Sequence, residues 1–404
     1  MDTVVIIGGS HAGAEACAAL RASGFDGRID LVCEEQHLPY HRPPLSKAYL
    51  KTGAVAQLLQ PEQFYASQSI TVHLGTSAVA IDPRDRRVIT SDRNTLAFDN
   101  LIYATGSRAR RLPIDGGDAG NVHVVKTHDD GARLADALTS SGDVVVIGAG
   151  FIGLEVAASA ASRGASVTVI DTAPQLMGRT ASIEIASAVQ RLHEAQGIQF
   201  LLGAGLKQFH LDGKTVRVAE LDDGTRLNCD SVVVGIGVVA NDELAREAGL
   251  ATDAGVVVDA SLKTSAPYIY AVGDCARFPT PFADEPVRLE SVQNATDQAR
   301  AVAKAITGGP AAYKAVPWFW SDQGDVKLQM AGIWRDTADT LVRGDPQSGN
   351  ASAFHYVGDR LAGVETINRP ADYMLARRLI EAGKSPDRAH ITDTEFDLKT
   401  YLRR

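Results

Sequence analysis

The chain contains one pattern twice: a strand, a glycine turn, a helix, a second strand and an acidic residue. In the later copy, the apolar run Val144–Ile147 leads into the turn Gly148–Gly153, Leu154–Ser162 has a helical pattern, and Val167–Ile170 ends at Asp171. The earlier copy follows the same order near the N-terminus. Two parallel strands joined by a crossover helix form a βαβ unit. The repeat therefore predicts an α/β fold with two Rossmann-like dinucleotide-binding domains.

The glycine spacing of the later turn suits a dinucleotide. Gly148 permits the tight turn, Gly150 lets the backbone approach a pyrophosphate, and Gly153 lets the helix pack on the strand. Ile152 lies within the same turn and is counted with the site. The N-terminus of the following helix would offer free N–H groups and the positive end of its dipole to the phosphates.

The acid after the second strand indicates which nucleotide binds. Asp171 follows Gly148 by about 20 residues, the separation at which an acid reaches an adenosine ribose. It would accept hydrogen bonds from a 2′-OH and repel a 2′-phosphate, so NADH is predicted rather than NADPH. Arg179, the nearest base, would weaken that preference. We expect the turn Gly235–Val238, which includes Gly237, to help seat the nicotinamide.

The earlier turn departs from the usual spacing. It runs from Gly8 to Gly13, between the strand Val4–Ile7 and a helical segment, and Ser10 stands where the second glycine is expected. Serine is small, so a pyrophosphate can still approach. Glu34, beyond the second strand, suits a ribose. Either turn alone could merely pack a helix on a strand, whereas two such turns together favour two bound dinucleotides.

Other segments predict how the chain is organised. Leu101–Gly106, Val232–Gly237 and Tyr268–Asp274 are apolar runs that end in or near glycine, as buried parallel strands do, and ligands bind at the carboxyl ends of such strands. Leu289–Ile306 has the period of an amphipathic helix. Beyond Tyr313, short alternating runs precede one more helix. We therefore predict two Rossmann-like domains, one inserted in the other, and a C-terminal α+β domain.

Composition narrows the class of protein. The 404 residues are 45% hydrophobic and 22% charged, which is typical of a globular chain. No apolar run approaches the roughly 18 residues that span a bilayer, and a formal charge of −9 argues against general nucleic-acid binding. The four cysteines have no Cys-x-x-Cys spacing, so neither a disulfide framework nor a metal site is expected. These features favour a cytoplasmic protein with no membrane or nucleic-acid partner.

Further motifs carry a resemblance to a known family. Besides the two glycine turns, they are Arg42-Pro43-Pro44-Leu45-Ser46-Lys47, Ala104-Thr105-Gly106, Thr264 to Asp274, Glu290 to Ala295, and Pro317-Trp318-Phe319-Trp320-Ser321-Asp322-Gln323. With these motifs the chain resembles the FAD-dependent pyridine nucleotide–disulfide oxidoreductase superfamily. Within it, the chain is similar to the NADH-dependent ferredoxin reductases of bacterial oxygenase systems, the putidaredoxin reductase type.

The resemblance implies two cofactors, FAD and NADH. Residues 1–109 and 237–313 would form the FAD-binding domain, 110–236 the NADH-binding domain, and 314–404 a C-terminal domain that covers the flavin. The positions that the resemblance assigns to FAD, together with the glycine-turn residues, are Ala12, Glu34, Arg42, Lys47, Ala78, Thr105, Gly106, Lys126, Gly273, Asp274, Val292 and Trp320.

The resemblance also implies a catalytic pair. A lysine at Lys47 would lie near the reactive edge of the flavin and pair with Glu155. A buried lysine needs such a counter-ion, and its charge would stabilise an electron-rich flavin. Taken alone, Lys47 would be read as a solvated loop lysine and Glu155 as an ordinary acid near a helix start.

The cysteines bear on the reaction. Disulfide reductases of the superfamily carry a redox cysteine pair, but Leu38–Leu50, the corresponding stretch, has none. Cys33 and Cys275 are expected to be buried small residues. The flavin itself would then pass single electrons to a 2Fe–2S ferredoxin after accepting a hydride from NADH.

Alternatives remain open at this point. A rubredoxin reductase or an NADH oxidase would share both cofactors. A signalling flavoprotein that resembles apoptosis-inducing factor would need a basic DNA-binding surface and targeting segments, for which the sequence gives no sign. Arg300 and Lys304 are candidates for docking an acidic ferredoxin, although a solvated helix face explains either alone. We expect a monomer or a weak dimer.

Overall fold

The computed structural model describes residues 2–53, 56–140, 142–310, 312–334 and 338–403. The chain divides into two compact units. Unit 1 consists of Met1–Arg42, Ala56–Arg108 and Val239–Pro317, and unit 2 consists of Pro43–Val55, Ala109–Val238 and Trp318–Arg404. In the described ranges, no helix is both long enough and apolar enough to span a membrane.

The strands, numbered along the chain, are β1 (Thr3–Ile7), β2 (Arg28–Val32), β3 (Ile70–His73), β4 (Ala78–Asp82), β5 (Arg87–Thr90), β6 (Thr95–Ala97), β7 (Asn100–Tyr103), β8 (Ser107–Ala109), β9 (Val122–His123), β10 (Asp143–Ile147), β11 (Ser166–Asp171), β12 (Gln199–Leu202), β13 (Leu206–Asp212), β14 (Thr215–Leu221), β15 (Arg226–Asn228), β16 (Ser231–Val234), β17 (Val238–Ala240), β18 (Val256–Val257), β19 (Ile269–Ala271), β20 (Ala276–Arg277), β21 (Trp318–Gln323), β22 (Val326–Gly332), β23 (Asp339–Asp345), β24 (Asn350–Val357) and β25 (Arg360–Ile367).

The α-helices are α1 (His11–Ala22), α2 (Ala48–Thr52), α3 (Glu62–Ser67), α4 (His128–Ala137), α5 (Phe151–Ala161), α6 (Ile183–Glu194), α7 (Glu243–Glu247), α8 (Val292–Ile306), α9 (Pro370–Glu381), α10 (Arg388–Thr392) and α11 (Thr400–Arg403). Short 3₁₀ helices cover Pro43–Ser46, Gly273–Cys275 and Pro346–Ser348.

Unit 1 is built on a parallel sheet in the order β19-β7-β1-β2-β3. The central strand β1 pairs in parallel with β2 on one side and with β7 on the other, in the register Val4↔Ile29 and Val4↔Asn100. Its residues Val4–Ile7 are buried, as expected of a parallel strand covered on both faces. Because the strand order reverses at β1, its carboxyl end is the place where such a sheet binds a ligand.

Unit 2 repeats the plan with the order β12-β11-β10-β16-β9. Here β10 is the strand at which the order reverses, since it pairs in parallel with both β11 and β16. The glycine segment Gly148–Gly153 follows β10 directly, and α5 begins within it at Phe151. The segment between β12 and β16 forms a separate three-stranded antiparallel sheet, β13-β14-β15.

The C-terminal part of unit 2 is an antiparallel sheet with the order β21-β22-β25-β24-β23, followed by α9. Its apolar side chains share one buried cluster with α5 and α6. That cluster includes Ala157 of α5, Ala188 of α6, Leu328 of β22 and Ile367 of β25. The C-terminal sheet and the second βαβ unit are therefore one packed body.

The predicted fold class is confirmed: two Rossmann-like parallel sheets, one inserted within the chain of the other, and a C-terminal α+β segment. The predicted strands at Leu101–Gly106 and Tyr268–Asp274 end earlier, as β7 and β19. β7 ends at Tyr103 and β19 at Ala271, before Gly106 and Gly273, whose φ angles of +66° and +78° lie outside the β region. The cofactor assigned to each domain stays a prediction.

Candidate functional site

The earlier glycine turn joins β1 to α1 in unit 1. Gly8 has φ +123°, and a Cβ there would lie 2.6 Å from the carbonyl carbon of Ala104. A Cβ on Gly13 would strike the carbonyl oxygen of Gly8. Both positions therefore require glycine, and Ala12, the neighbour of Gly13, is buried. This packing brings the N-terminus of α1 to the carboxyl end of β1, where Rossmann-like units bind phosphate.

Ser10 is the N-cap residue of α1, yet within the described chain its hydroxyl makes no capping hydrogen bond. Ser10 Oγ instead accepts a hydrogen bond from Arg42 Nε at 2.8 Å, and Arg42 Nη2 donates to Glu35 at 2.5 Å. The first N–H groups of α1 thus lack the acceptor that an N-cap serine usually supplies. An anion such as a pyrophosphate suits that position.

Asp274 lies in the 3₁₀ helix that follows β19. Its Oδ2 accepts a hydrogen bond from Ser107 Oγ at 2.8 Å. A Cβ on the neighbouring Gly273 would lie 3.5 Å from Cβ of Ala12. The structure therefore brings Gly273 and Asp274 next to the start of α1, in the same part of unit 1 as the glycine turn.

The other residues predicted for the FAD site are spread over both units. Thr105 Oγ1 donates to the carbonyl oxygen of Asn241 at 2.8 Å, and Gly106 follows it. Glu34 is exposed beyond β2, Ala78 begins β4, and Val292 begins α8. Lys126 belongs to unit 2, ahead of α4.

The later glycine turn has the same construction in unit 2. Gly148 has φ +104°, and a Cβ there would lie 2.5 Å from the carbonyl oxygen of Gly235. A Cβ on Gly153 would strike the carbonyl oxygen of Gly148. Gly150 differs, because its Cβ would meet Gly235 at an ordinary 3.8 Å. The fold alone does not demand glycine at Gly150, so the close approach of a ligand is the better reason for it.

Asp171 lies at the end of β11 beside this turn. Its Oδ2 accepts the backbone N–H of Ala149 at 2.7 Å, and its Oδ1 accepts that of Ala173 at 2.8 Å. A carboxylate has about four acceptor positions, so Asp171 can still accept bonds from a ribose while it is held in place. Ile152, which the sequence analysis counted with the turn, lies in the first turn of α5 and is 44% exposed.

Arg179 and Gly237 lie near each other in unit 2. Gly237 has φ +94°, and a Cβ on it would lie 3.5 Å from Nη2 of Arg179. The base that the sequence analysis named as weakening the preference for NADH is therefore close to the turn expected to seat the nicotinamide.

Lys47 and Glu155 form an ion pair within unit 2. The distance from Lys47 Nζ to Glu155 Oε2 is 2.7 Å, and the side chains are 19% and 2% exposed. Lys47 Nζ also donates to the carbonyl oxygen of Pro43 at 3.2 Å. The 3₁₀ helix Pro43–Ser46 ends directly before Lys47 and so directs it toward α5. A carboxylate buried this deeply requires a charged or hydrogen-bonding partner.

Sequence reasoning gave no role to two serines that bind the same carboxylate. Ser46 Oγ donates to Glu155 Oε2 at 2.5 Å, and Ser321 Oγ donates to Glu155 Oε1 at 2.6 Å. Both serines lie inside motifs that carry the family resemblance, Ser46 in Arg42–Lys47 and Ser321 in Pro317–Gln323. Those motifs were the available signal, but they did not reveal which side chain the serines contact.

Trp320 lies on β21, where successive side chains alternate between the two faces. It is half-buried and borders a cavity of about 280 Å³, whose other lining residues are Asp322, Lys327, Gln329 and Pro370. Trp318 packs against the ring of Tyr373, with ring centroids 6.4 Å apart.

The four cysteines are free and buried. Burial raises the pKa of Cys275 and of Cys229 to about 11. Burial, reinforced by the charge of Glu35, raises the pKa of Cys33 to about 12, and burial also raises that of Cys17. All four are therefore protonated thiols near neutral pH, and a thiol is a poor nucleophile compared with a thiolate.

Two parallel sheets, each with a glycine turn at its point of reversal, define a protein that binds two dinucleotides. The turns fit such ligands, since α1 begins without a capping side chain in the described chain and Gly150 leaves space that its own fold does not need.

Comparison with known proteins defines the family. Residues 2–299 match the model of the pyridine nucleotide–disulphide oxidoreductase family, and residues 318–402 match a reductase C-terminal model. The chain belongs to the pyridine nucleotide–disulphide oxidoreductase family.

Individual relatives are similar over nearly their whole length. Rhodocoxin reductase of Rhodococcus erythropolis is 43% identical, over 100% of this chain and 95% of the relative. A ferredoxin reductase structure from Rhodopseudomonas palustris is 42% identical with a TM-score of 0.97, covering 99% of both chains. The reductase in a covalent putidaredoxin reductase–putidaredoxin complex is 38% identical with a TM-score of 0.97, covering 100% of this chain and 98% of that one.

Proposed function

We propose that this chain is an FAD-dependent NADH:ferredoxin oxidoreductase that supplies electrons to an oxygenase. The observation that carries the proposal is the presence of two dinucleotide turns in one chain, each at the point where a parallel sheet reverses its strand order. A nicotinamide and a flavin are the pair of dinucleotides between which a hydride passes.

Unit 1 is proposed to bind FAD. The uncapped start of α1 and the side chain of Arg42 supply donors for a pyrophosphate, and Asp274 is held by Ser107 at the same end of the sheet. The N-terminus of α8 at Val292 gives a positive dipole end, which favours negative charge on a ligand. When bound, FAD accepts a hydride and gives up electrons singly.

Unit 2 is proposed to bind NADH. The turn Gly148–Gly153 would hold the pyrophosphate at the N-terminus of α5, and Asp171, which is fixed by the N–H of Ala149, would hold the adenosine ribose. Lys47 presents an ammonium group whose charge is balanced by Glu155. The charge of Lys47 would stabilise negative charge on the flavin, and no side chain is assigned to proton transfer.

No thiol is proposed to carry electrons. The raised pKa of each cysteine keeps it protonated near neutral pH, whereas redox relays in related enzymes need a thiolate.

The proposed acceptor is a 2Fe–2S ferredoxin. The support is the nature of the relatives, among them a reductase captured in a covalent complex with putidaredoxin. Lys304 is exposed on α8 and is the better docking candidate, because Arg300 is already paired with Glu15 at 2.7 Å and with Asp297 at 3.2 Å. A monomer or weak dimer, and a cytoplasmic location, stay predictions.

The decisive experiment is an absorption spectrum of the purified protein followed by an NADH titration under argon. The proposal expects a yellow protein, bleached near 450 nm by about one equivalent of NADH and much more slowly by NADPH. A colourless protein, or one bleached only by NADPH, would overturn the cofactor assignment.

The acceptor is tested by steady-state turnover. With a 2Fe–2S ferredoxin added, turnover should far exceed oxygen consumption without it. Equal oxygen consumption would favour an NADH oxidase, and faster reduction of a rubredoxin would favour a rubredoxin reductase. Slow turnover with every acceptor, combined with dimerisation on NADH, would favour a signalling flavoprotein.

A further inference from the structure

A chain of buried hydrogen bonds leads away from Glu155 into the C-terminal sheet of unit 2. Ser321 Oγ donates to Glu155 Oε1 at 2.6 Å, Gln323 Nε2 donates to Ser321 Oγ at 3.2 Å, and His193 Nε2 lies 2.8 Å from Gln323 Oε1. Glu155 is 2% exposed, and Ser321, Gln323 and His193 are fully buried. These contacts join α5, β21 and α6.

Strand geometry explains why Ser321 and Gln323, two residues of this hydrogen-bond series, lie together. Side chains of β21 alternate between faces, so Ser321 and Gln323 point to the same side as Phe319. Phe319 packs against Phe151 of α5, with ring centroids 4.6 Å apart. This face of β21 therefore lies on α5, the helix that carries Glu155.

The hydrogen bonds all point in one direction. The amide of Gln323 gives its N–H to Ser321 and accepts at its oxygen, so His193 must hold its proton on Nε2. Burial lowers the pKa of His193, which keeps the ring neutral with that single N–H. Each donor then faces toward Glu155, and hydrogen bonds aligned head to tail polarise one another.

We propose that Ser321 and Gln323 are positioning residues, which hold the Glu155 carboxylate and, through it, fix the place and charge balance of Lys47 during hydride transfer. This inference rests on the proposed function of the Lys47–Glu155 pair. The carboxylate uses Oε2 for Lys47 and Ser46 and Oε1 for Ser321. The hydrogen bond from Ser321 therefore fixes the rotation of the carboxylate about the Cγ–Cδ bond of Glu155.

The physical consequence is specific to the carboxylate. Without Ser321 Oγ, Glu155 Oε1 is buried with no donor among the contacts described here, which is costly for a charged oxygen. The carboxylate can then rotate to share Ser46 between its oxygens and release Lys47. A Lys47 side chain that is no longer held by the carboxylate is more accessible to an acylating reagent.

The test compares Ser321→Ala with a matched control in the same sheet. Ser352 is also fully buried, and its Oγ donates to the carboxylate of Asp372 at 2.8 Å, away from Glu155. Ser352→Ala therefore removes an equivalent serine–carboxylate bond. Ser321→Thr keeps a hydroxyl and should restore the wild-type behaviour. Gln323→Met removes the next hydrogen bond of the series, the one that Gln323 donates to Ser321.

Two measurements are made on the purified flavoprotein. The first is the rate at which trace acetic anhydride labels Lys47, read by mass spectrometry against other lysines of the same sample. The second is the rate constant of flavin reduction by NADH in stopped flow. Ser321→Ala should label Lys47 several-fold faster and reduce about tenfold more slowly, the effect expected for one hydrogen bond to a charged group. Gln323→Met should shift both in the same direction by less.

The outcomes separate this inference from the proposed function. Unchanged labelling and unchanged reduction in Ser321→Ala would overturn the inference, and so would equal changes in Ser352→Ala, which would mean general loosening of the sheet. If Ser321→Ala does not fold, Gln323→Met decides by the same criteria. If wild type is not reduced by NADH, the proposed function fails, while the labelling comparison still reports whether Ser321 positions Glu155 and Lys47.

Discussion

Replacing Gly148 by alanine tests which dinucleotide the later turn holds. The added Cβ would lie 2.5 Å from the carbonyl oxygen and 2.7 Å from the carbonyl carbon of Gly235, at a residue with φ +104°. Carbon atoms normally approach no closer than about 3.5 Å, so the backbone must move by nearly 1 Å. Gly164→Ala is the matched control, because Gly164 has φ +90° but a Cβ there meets no described atom within 4 Å.

The two variants separate backbone strain from steric overlap. A positive φ costs about 1–2 kcal/mol for a residue with a Cβ, and that cost applies to both. Overlap in a packed region adds about 1–3 kcal/mol, and it applies to Gly148→Ala alone. Gly148→Ala should therefore lose about 2–5 kcal/mol of local stability, and Gly164→Ala about 1–2 kcal/mol, or a few degrees in Tm.

The assay follows both cofactors in each variant. Bound FAD is measured from the ratio of absorbance at 450 and 280 nm, and NADH affinity from the concentration dependence of flavin reduction. Gly148→Ala should keep its FAD and lose at least about tenfold in NADH affinity, since each 1.4 kcal/mol is a factor of ten, whereas Gly164→Ala should keep both. In unit 1, Gly8→Ala should lose FAD. If Gly148→Ala lost FAD and still bound NADH, the assignment of the two turns would be reversed. Equal behaviour of Gly148→Ala and Gly164→Ala would refute the steric argument.

Three further predictions follow from the described contacts. Asp171→Asn should lower the preference for NADH over NADPH about tenfold in kcat/KM, because it removes the charge that repels a 2′-phosphate and weakens a charge-assisted bond to the ribose. The thiols should resist iodoacetamide at pH 8. The free energy of unfolding should fall as pH rises from 9 toward 11, because a thiol of the unfolded chain ionises above its usual pKa of 9.0, whereas burial raises the pKa of folded Cys275 to about 11. Thermal melts at pH 8 and 10.5 measure that loss, which should be smaller in Cys275→Ser. Lys304→Glu should slow ferredoxin reduction and leave dye reduction intact. Arg300→Glu should act partly by breaking the ion pair with Glu15. If Lys304→Glu slowed dye reduction more than ferredoxin reduction, the docking role would be contradicted.

The two βαβ units could be predicted because their signals are local. A continuous apolar run followed by a glycine turn is enough to place Val4–Ile7 and Val144–Ile147 in buried parallel strands, and the structure has strands there. The predicted helix Leu289–Ile306 begins later, at Val292, because Ser291 caps it by accepting the N–H of Asn294 at 3.1 Å. Such an end depends on one side chain and is poorly marked by periodicity.

The site of Glu155 could not be predicted from local patterns. Ser46, Glu155 and Ser321 are far apart in the sequence, and the packing of α5 against β21 and the Pro43–Ser46 helix brings them together. The alternation along β21 could have shown that Ser321 and Gln323 share a face. It contained no information about which carboxylate lies opposite that face.

Helix α5 connects the two parts of the proposed site. Its N-terminus carries the glycine turn, while Phe151, Glu155 and Ser159 recur every four residues and so form one stripe along the helix. Phe151 packs on Phe319, Glu155 binds Ser46 and Lys47, and Ser159 Oγ donates to the carbonyl oxygen of Ser46 at 3.0 Å. A helix is stiff along its axis, so the end that is proposed to bind a pyrophosphate should move together with the stripe that holds Lys47. A buried carboxylate is a costly way to hold one lysine, but its place on α5 ties the position of Lys47 to the helix that is proposed to bind the nucleotide.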